Sequence, residues 1–243
     1  MLRFKVILAT ITMVLSTSVF AGNFTVGVES QDYSPIFKVE GANYIGYARD
    51  LMDAFGEKYG HTFTYKPLPV ARLLDEFLNT KSIDFKFPDN AYWGTDIKKS
   101  TSIAYSKGLI SVTEGAMVLP MNKGKLITKI ATVRGFTPFP YLEDIKAKKI
   151  TVTEVASAEA VLKMVEASRV DAGYLGVLAA EYTLREILKK PGLTVYDDAA
   201  PHSTNDFSLS SISKPEVINQ MTEFLAKEKD TVSKLKSKYR ITE

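Results

Sequence analysis

Asp89, Asn90 and Trp93 stand within five residues of one another in the run Asp84-Phe85-Lys86-Phe87-Pro88-Asp89-Asn90-Ala91-Tyr92-Trp93. A carboxylate, a carboxamide and an indole so close together can hold a polar solute. Trp93, the only tryptophan of the chain, brings an apolar face and a donor edge. The same Pro-Asp-Asn sequence also makes a plain turn, because Asp and Asn satisfy their own backbone. A second group is Arg134-Gly135-Phe136-Thr137, where Arg134 offers a planar fork for a carboxylate and Thr137 a hydroxyl. The bland alternative is a solvated arginine in a strand–helix turn. Arg72, in the first turn of an expected helix, is disfavoured by the helix dipole unless an anion lies near; a surface ion pair explains it equally well. Glu29, Tyr33 and Tyr174 complete the candidates as a carboxylate and two rings able to meet a cation, each with an ordinary packing role open to it.

These residue types bind and do not react. His61 and His202 are the only histidines, and nothing in their spacing joins them; His61 reads as part of a surface turn. Ser106 and Ser208 lack a Gly-x-Ser-x-Gly setting. There are no cysteines, which excludes disulfides, thiolate nucleophiles and cysteine metal sites. No catalytic residue, metal site or cofactor is expected.

Strands and helices alternate around the candidates. Leu51, Met52 and Phe55 form one amphipathic helix stopped at Gly60, and Leu73, Leu74, Phe77 and Leu78 form a second opened by Pro69. Strands are expected at 24–28, 62–66 and 83–87, so Asp89 and Asn90 sit at a strand's carboxyl end, where open α/β sheets bind ligands. A second α/β unit starts at Ile130. It has strands at 130–133, 150–153 and 170–174, helices at 158–167 and 177–189, and the Arg134 loop leading towards a helix. The strand at 207–212 can rejoin the first unit, followed by a helical tail to Tyr239, and Pro120-Met121-Asn122-Lys123-Gly124 reads as the crossing between lobes. The expected class is α/β, with two lobes each built on a central sheet flanked by helices. Residues 22–118 plus 200–243 make lobe 1, residues 119–199 make lobe 2, and a ligand cleft lies between them.

The first 21 residues have Arg3 and Lys5, an apolar run from Val6 to Val14 and the small-residue pattern Val19-Phe20-Ala21. This reads as a secretory signal peptide cleaved after Ala21, since Thr10, Thr12, Ser16 and Thr17 interrupt any span. Without Arg3 and Lys5 the chain has 29 basic and 28 acidic residues, a balance that gives no support to nucleic-acid binding.

The segments Gly46-Tyr47-Ala48-Arg49-Asp50-Leu51, Asn79-Thr80-Lys81-Ser82-Ile83-Asp84, Ala104-Tyr105-Ser106, Lys129 to Thr137 and Arg169-Val170-Asp171-Ala172 follow one another in an order and spacing that resembles the bacterial extracellular solute-binding proteins of the polar amino-acid type, solute-binding protein family 3. The resemblance covers the chain after residue 21. It implies the two-lobed, hinge-closing periplasmic-binding-protein fold (type II), a periplasmic location, a monomer, a small polar solute and a membrane permease of an ABC-type transporter as partner. A sensing protein that presents its closed form to a membrane receptor is the alternative. The family sets an aromatic ring at the place of Tyr33. It holds a solute carboxylate with an arginine where this chain has Asp96-Ile97-Lys98-Lys99-Ser100, and an α-amino group with an acid where this chain has Gly176. Both halves of that clamp are altered.

Overall fold

The computed structural model describes residues 21–99 and 101–241. The leader expected over residues 1–21 therefore lies, but for Ala21, outside the described residues.

The chain runs β1 (Asn23–Glu29), β2 (Lys38–Glu40), β3 (Asn43–Ile45), α1 (Tyr47–Tyr59), β4 (Thr62–Leu68), α2 (Val70–Leu78), β5 (Phe85–Asp89), α3 (Thr95–Lys98), β6 (Ala104–Tyr105) and β7 (Ile110–Val118). It continues through β8 (Lys129–Val133), α4 (Leu142–Lys146), β9 (Thr151–Val155), α5 (Ala158–Glu166), β10 (Ala172–Gly176), α6 (Val177–Tyr182), β11 (Val195–Tyr196), β12 (Ser203–Ser211), α7 (Pro215–Lys227) and α8 (Lys229–Lys238).

Hydrophobic spacing decides the helices. Leu51, Met52 and Phe55 are fully buried on α1, which Gly60 ends in the left-handed conformation that glycine adopts without strain. Leu73 and Phe77 bury the inner face of α2 against Leu68 and Ile83. β1 lies between β4 and β5, parallel to both, so its continuous buried run Val26-Gly27-Val28 belongs to a strand covered on both faces.

The sheet order is β4-β1-β5-β12-β7-β10-β8-β9. β12 is antiparallel to β5 through Ser208 and Ser210 and to β7 through Ser203–Phe207, while β7 is antiparallel to β10 through Gly115 and its neighbours. These two long strands carry the chain from one half of the sheet to the other. The crossing is thus made by β7 and β12, and not by the turn at Pro120, which only links β7 to β8. Each half has its own apolar core, one around Val26, Phe55, Phe87 and Phe224 and one around Ala131, Val161, Leu162 and Leu184.

The Arg134 loop leads towards a helix as expected, but not directly: Gly135 turns the chain with φ 82, a short 3-10 turn follows at Phe139–Tyr141, and α4 begins after that. Pro138 and Pro140 cannot donate to a helical ladder and delay its start. His61 is buried, not in a surface turn; its Nε2 lies 2.9 Å from Gln220 Oε1 and its ring packs edge-on to Phe24.

Candidate functional site

Asp89 ends β5 fully buried, and four protein groups engage its carboxylate. Lys98 Nζ donates to Oδ1 at 2.7 Å, with Lys86 Nζ 3.2 Å from the same oxygen. The Asn90 amide also donates to Oδ1, and Ser210 Oγ donates to Oδ2 at 2.7 Å. One carboxylate therefore ties β5, α3 and β12 together. Both lysines are buried, and burial pulls the Lys86 ammonium below its ordinary pKa although Asp89 and Glu29 hold it up. Glu29, at the end of β1, faces the same cluster. Enclosure of its carboxyl pushes its pKa up to about 7, with Lys86 opposing and Asp89 reinforcing.

Asn90 follows Asp89 and shapes the next turn, its Oδ1 accepting from the amides of Tyr92 and Trp93 at 2.9 and 3.0 Å. Its Nδ2 is buried without a hydrogen-bond partner. The turn presents the Trp93 ring edge-on to Phe207 of β12, with centroids 5.4 Å apart.

Tyr33, in the loop after β1, sits at the seam of the two halves. Its ring stacks on Phe37 at 5.5 Å and lies 5.7 Å from Phe207 and 6.3 Å from Phe136 of the second half. Its hydroxyl donates to Glu114 Oε1 of β7 at 3.4 Å. Glu114 is 7% exposed, and burial pushes its pKa up to about 7 against the opposing hydrogen bonds of Tyr33 and Ser203. Tyr174, fully buried on β10, packs on Phe136 at 6.0 Å and reaches Ser203 Oγ at 3.3 Å.

The loop that carries Tyr33 also lines an opening between the halves, a cavity of about 550 Å3. Ser30, Gln31, Asp32 and Ser34 form one wall; Arg134, Ser157, Glu159 and Tyr182 belong to the other. Ser157 caps α5, its Oγ accepting from the Ala160 amide at 3.2 Å, so the positive end of that helix borders the cavity. Arg134 and Asp32 are both exposed here, placing charges of opposite sign around one opening.

Glu29, Asp89, Asn90, Trp93, Tyr33 and Tyr174 thus form one connected cluster through Lys86, Phe207 and Phe136, and Arg134 joins the adjoining cavity. Thr137 is exposed on the loop after Arg134. Arg72 stands apart on α2, where its Nε donates to Glu76 Oε1 at 3.0 Å, the surface-pair alternative of the two it offered. Sequence reasoning missed Glu114, Lys86, Lys98 and Ser210. The signals were available: Glu114 is an acid inside the apolar strand Ile110–Val118, and Lys86 lies between two buried phenylalanines. Among the described residues no group of three His, Cys, Asp or Glu side chains can hold a metal ion.

No protein-family model matches the sequence, and no curated protein does. Solved structures do match. The crystal structure of an ancestral amino acid-binding protein, a precursor of cyclohexadienyl dehydratase, aligns with TM-score 0.66 at 19% identity, over 89% of this chain and 95% of that one. A histidine kinase sensor domain with similarity to periplasmic binding proteins aligns with TM-score 0.67 at 16% identity, over 89% and 95%. The L-cystine solute receptor of Neisseria gonorrhoeae, unliganded and open, aligns with TM-score 0.64 at 17% identity, over 91% and 94%. The likeness is one of architecture and spans nearly the whole of each chain. This chain has the two-lobed periplasmic-binding-protein fold.

Proposed function

We propose that the protein is a periplasmic solute-binding protein that captures a small polar solute, an amino acid or related compound, by hinge closure. Lobe 1 would be residues 22–118 with 200–243, and lobe 2 residues 119–199. The observation that carries the reading is the 550 Å3 cavity walled by both halves, which are joined among the described residues through the strand pair β7 and β12. Its volume suits a small molecule. Arg134 and the capped start of α5 offer an anion site on one wall, and Asp32 and Glu159 offer a cation site, so a zwitterion fits best. Asn90, with its unpaired buried amide, and Trp93 would contribute from lobe 1 beside that wall, reaching it through Phe207 and Tyr33, and Asp89 would hold their turn in place. Binding across both walls would stabilise the closed form.

The solute-bound protein would then engage the permease of an ABC-type transporter. The sensor-domain likeness keeps a second reading in view, in which the closed form engages a membrane receptor. The chain would act as a monomer, by binding and release, without a cofactor.

A thermal-shift and calorimetric screen of the mature chain against amino acids, polyamines, betaines and small carboxylates tests capture. At a hundredfold excess over Kd a solute stabilises by about 2.7 kcal/mol and raises Tm by several degrees. Arg134→Ala should weaken the identified solute about tenfold or more. Parent-like affinity in that variant would remove Arg134 from the site, and no hit across the screen would sink capture itself.

A further inference from the structure

Across the crossing, Ser203 of β12, Glu114 of β7 and Gly176 of β10 are neighbours in register. The row has a notch at Gly176: a Cβ there would lie 2.0 Å from Tyr33 Oη. The backbone at Gly176 is extended, with φ −63 and ψ 126, a conformation open to any residue. Glycine is needed here for space alone. The Tyr33 phenol fills the notch, and the void left beside it is about 30 Å3, room for roughly one water.

Glu114 differs from the other buried carboxylates near the crossing. Asp89 has two lysine ammoniums, whereas the side chains that reach Glu114 are the hydroxyls of Tyr33 and Ser203. The rings of Tyr33, Phe136, Tyr174 and Phe207 surround this place from both halves. Among the described residues no ion pair is formed by Glu114, and a buried carboxylate walled by aromatic faces favours an ammonium group. Gln31, Asp32, Val133, Ala158 and Ala179 line both the notch and the larger cavity, so the two spaces adjoin.

We propose that Tyr33 is an internal ligand and the specificity-determining residue of the interlobe pocket: its phenol holds the solute-free lobes together, and it yields to solutes whose ammonium replaces its hydroxyl on Glu114. This rests on the solute-capture reading and names the group recognised. Gly176 is its necessary partner, because any side chain there would expel the ring.

Small-angle scattering and calorimetry on the mature chain test the proposal. Without solute the parent scatters as the compact form, and Tyr33→Ala scatters as a more open one. Phenethylammonium, whose ring and ammonium match the vacated space, should restore compactness; phenylacetate, with the same ring and opposite charge, should not. Adding Glu114→Gln to Tyr33→Ala should weaken phenethylammonium about tenfold while leaving neutral p-cresol unchanged. Gly176→Ala, which keeps the tyrosine, serves if Tyr33→Ala folds poorly and should open the protein in the same way. The proposal is overturned if both variants stay compact, or if phenylacetate binds as well as phenethylammonium. The two readings fail separately. A parent that binds nothing in the solute screen sinks capture, and compact scattering from both Tyr33→Ala and Gly176→Ala sinks the internal ligand.

Discussion

Glu114 and Glu29 set the pH behaviour of the protein. In the folded state both carboxyls are raised from the ordinary 4.5 to about 7, burial being the main cause. Between those values the folded protein holds protons that the unfolded chain has released. Stability therefore declines as pH rises from about 4.5 to about 7 and levels off above. A Tm profile across this range should show that slope, and Glu114→Gln should flatten part of it and raise Tm at neutral pH. A slope of the opposite sign would mean that these carboxyls are ionised in the folded state well below neutrality. The Asp89 carboxylate is structural: removing its charge strands Lys86 and Lys98 in a buried site. Asp89→Asn should cost roughly 3–5 kcal/mol in chemical denaturation, the usual penalty for breaking a buried pair. A loss below 1 kcal/mol would show that the lysines find water instead.

At the level of elements, periodicity located nearly every helix and strand, because each buries one clear stripe or run. Leu73 and Phe77 mark α2, and Val161, Leu162 and Val165 mark α5. The crossing was misplaced for a physical reason. The sequence around β7 reads as one or two strands with Gly115 as a break, and a strand's change of partner from β12 to β10 at Glu114 and Gly115 cannot be told from such a break by its side-chain pattern. The site was legible in part. Asp89 and Asn90 could be placed at a strand end, but of the partners of Asp89 Ser210 comes from β12, far along the chain, and only packing brings it in, while the nearby Lys86 and Lys98 are turned inward by the fold. The cap of α5 is a local feature with a local test. Ser157→Ala should lower stability by about 1 kcal/mol, read as a fall in Tm, and should weaken an anionic solute if that helix end faces it. Weaker stability with unchanged affinity would keep the cap structural.

For the whole molecule, a file of rings crosses the seam. Tyr44 stacks on Phe37, Phe37 on Tyr33, Tyr33 meets Phe136, and Phe136 meets Tyr174. Contacts of this kind between halves joined by β7 and β12 would favour a closed arrangement on the hinge proposed above, and a solute-free parent should then scatter as compact. One consequence concerns measurement. The indole beside the Phe207 ring is the sole fluorophore of its class in the chain, mounted in a turn against β12, one of the two strands that would flex if the proposed hinge closes. Its emission should therefore change in colour and intensity whenever the halves part, so the native polypeptide carries an optical gauge of its own opening without any attached dye.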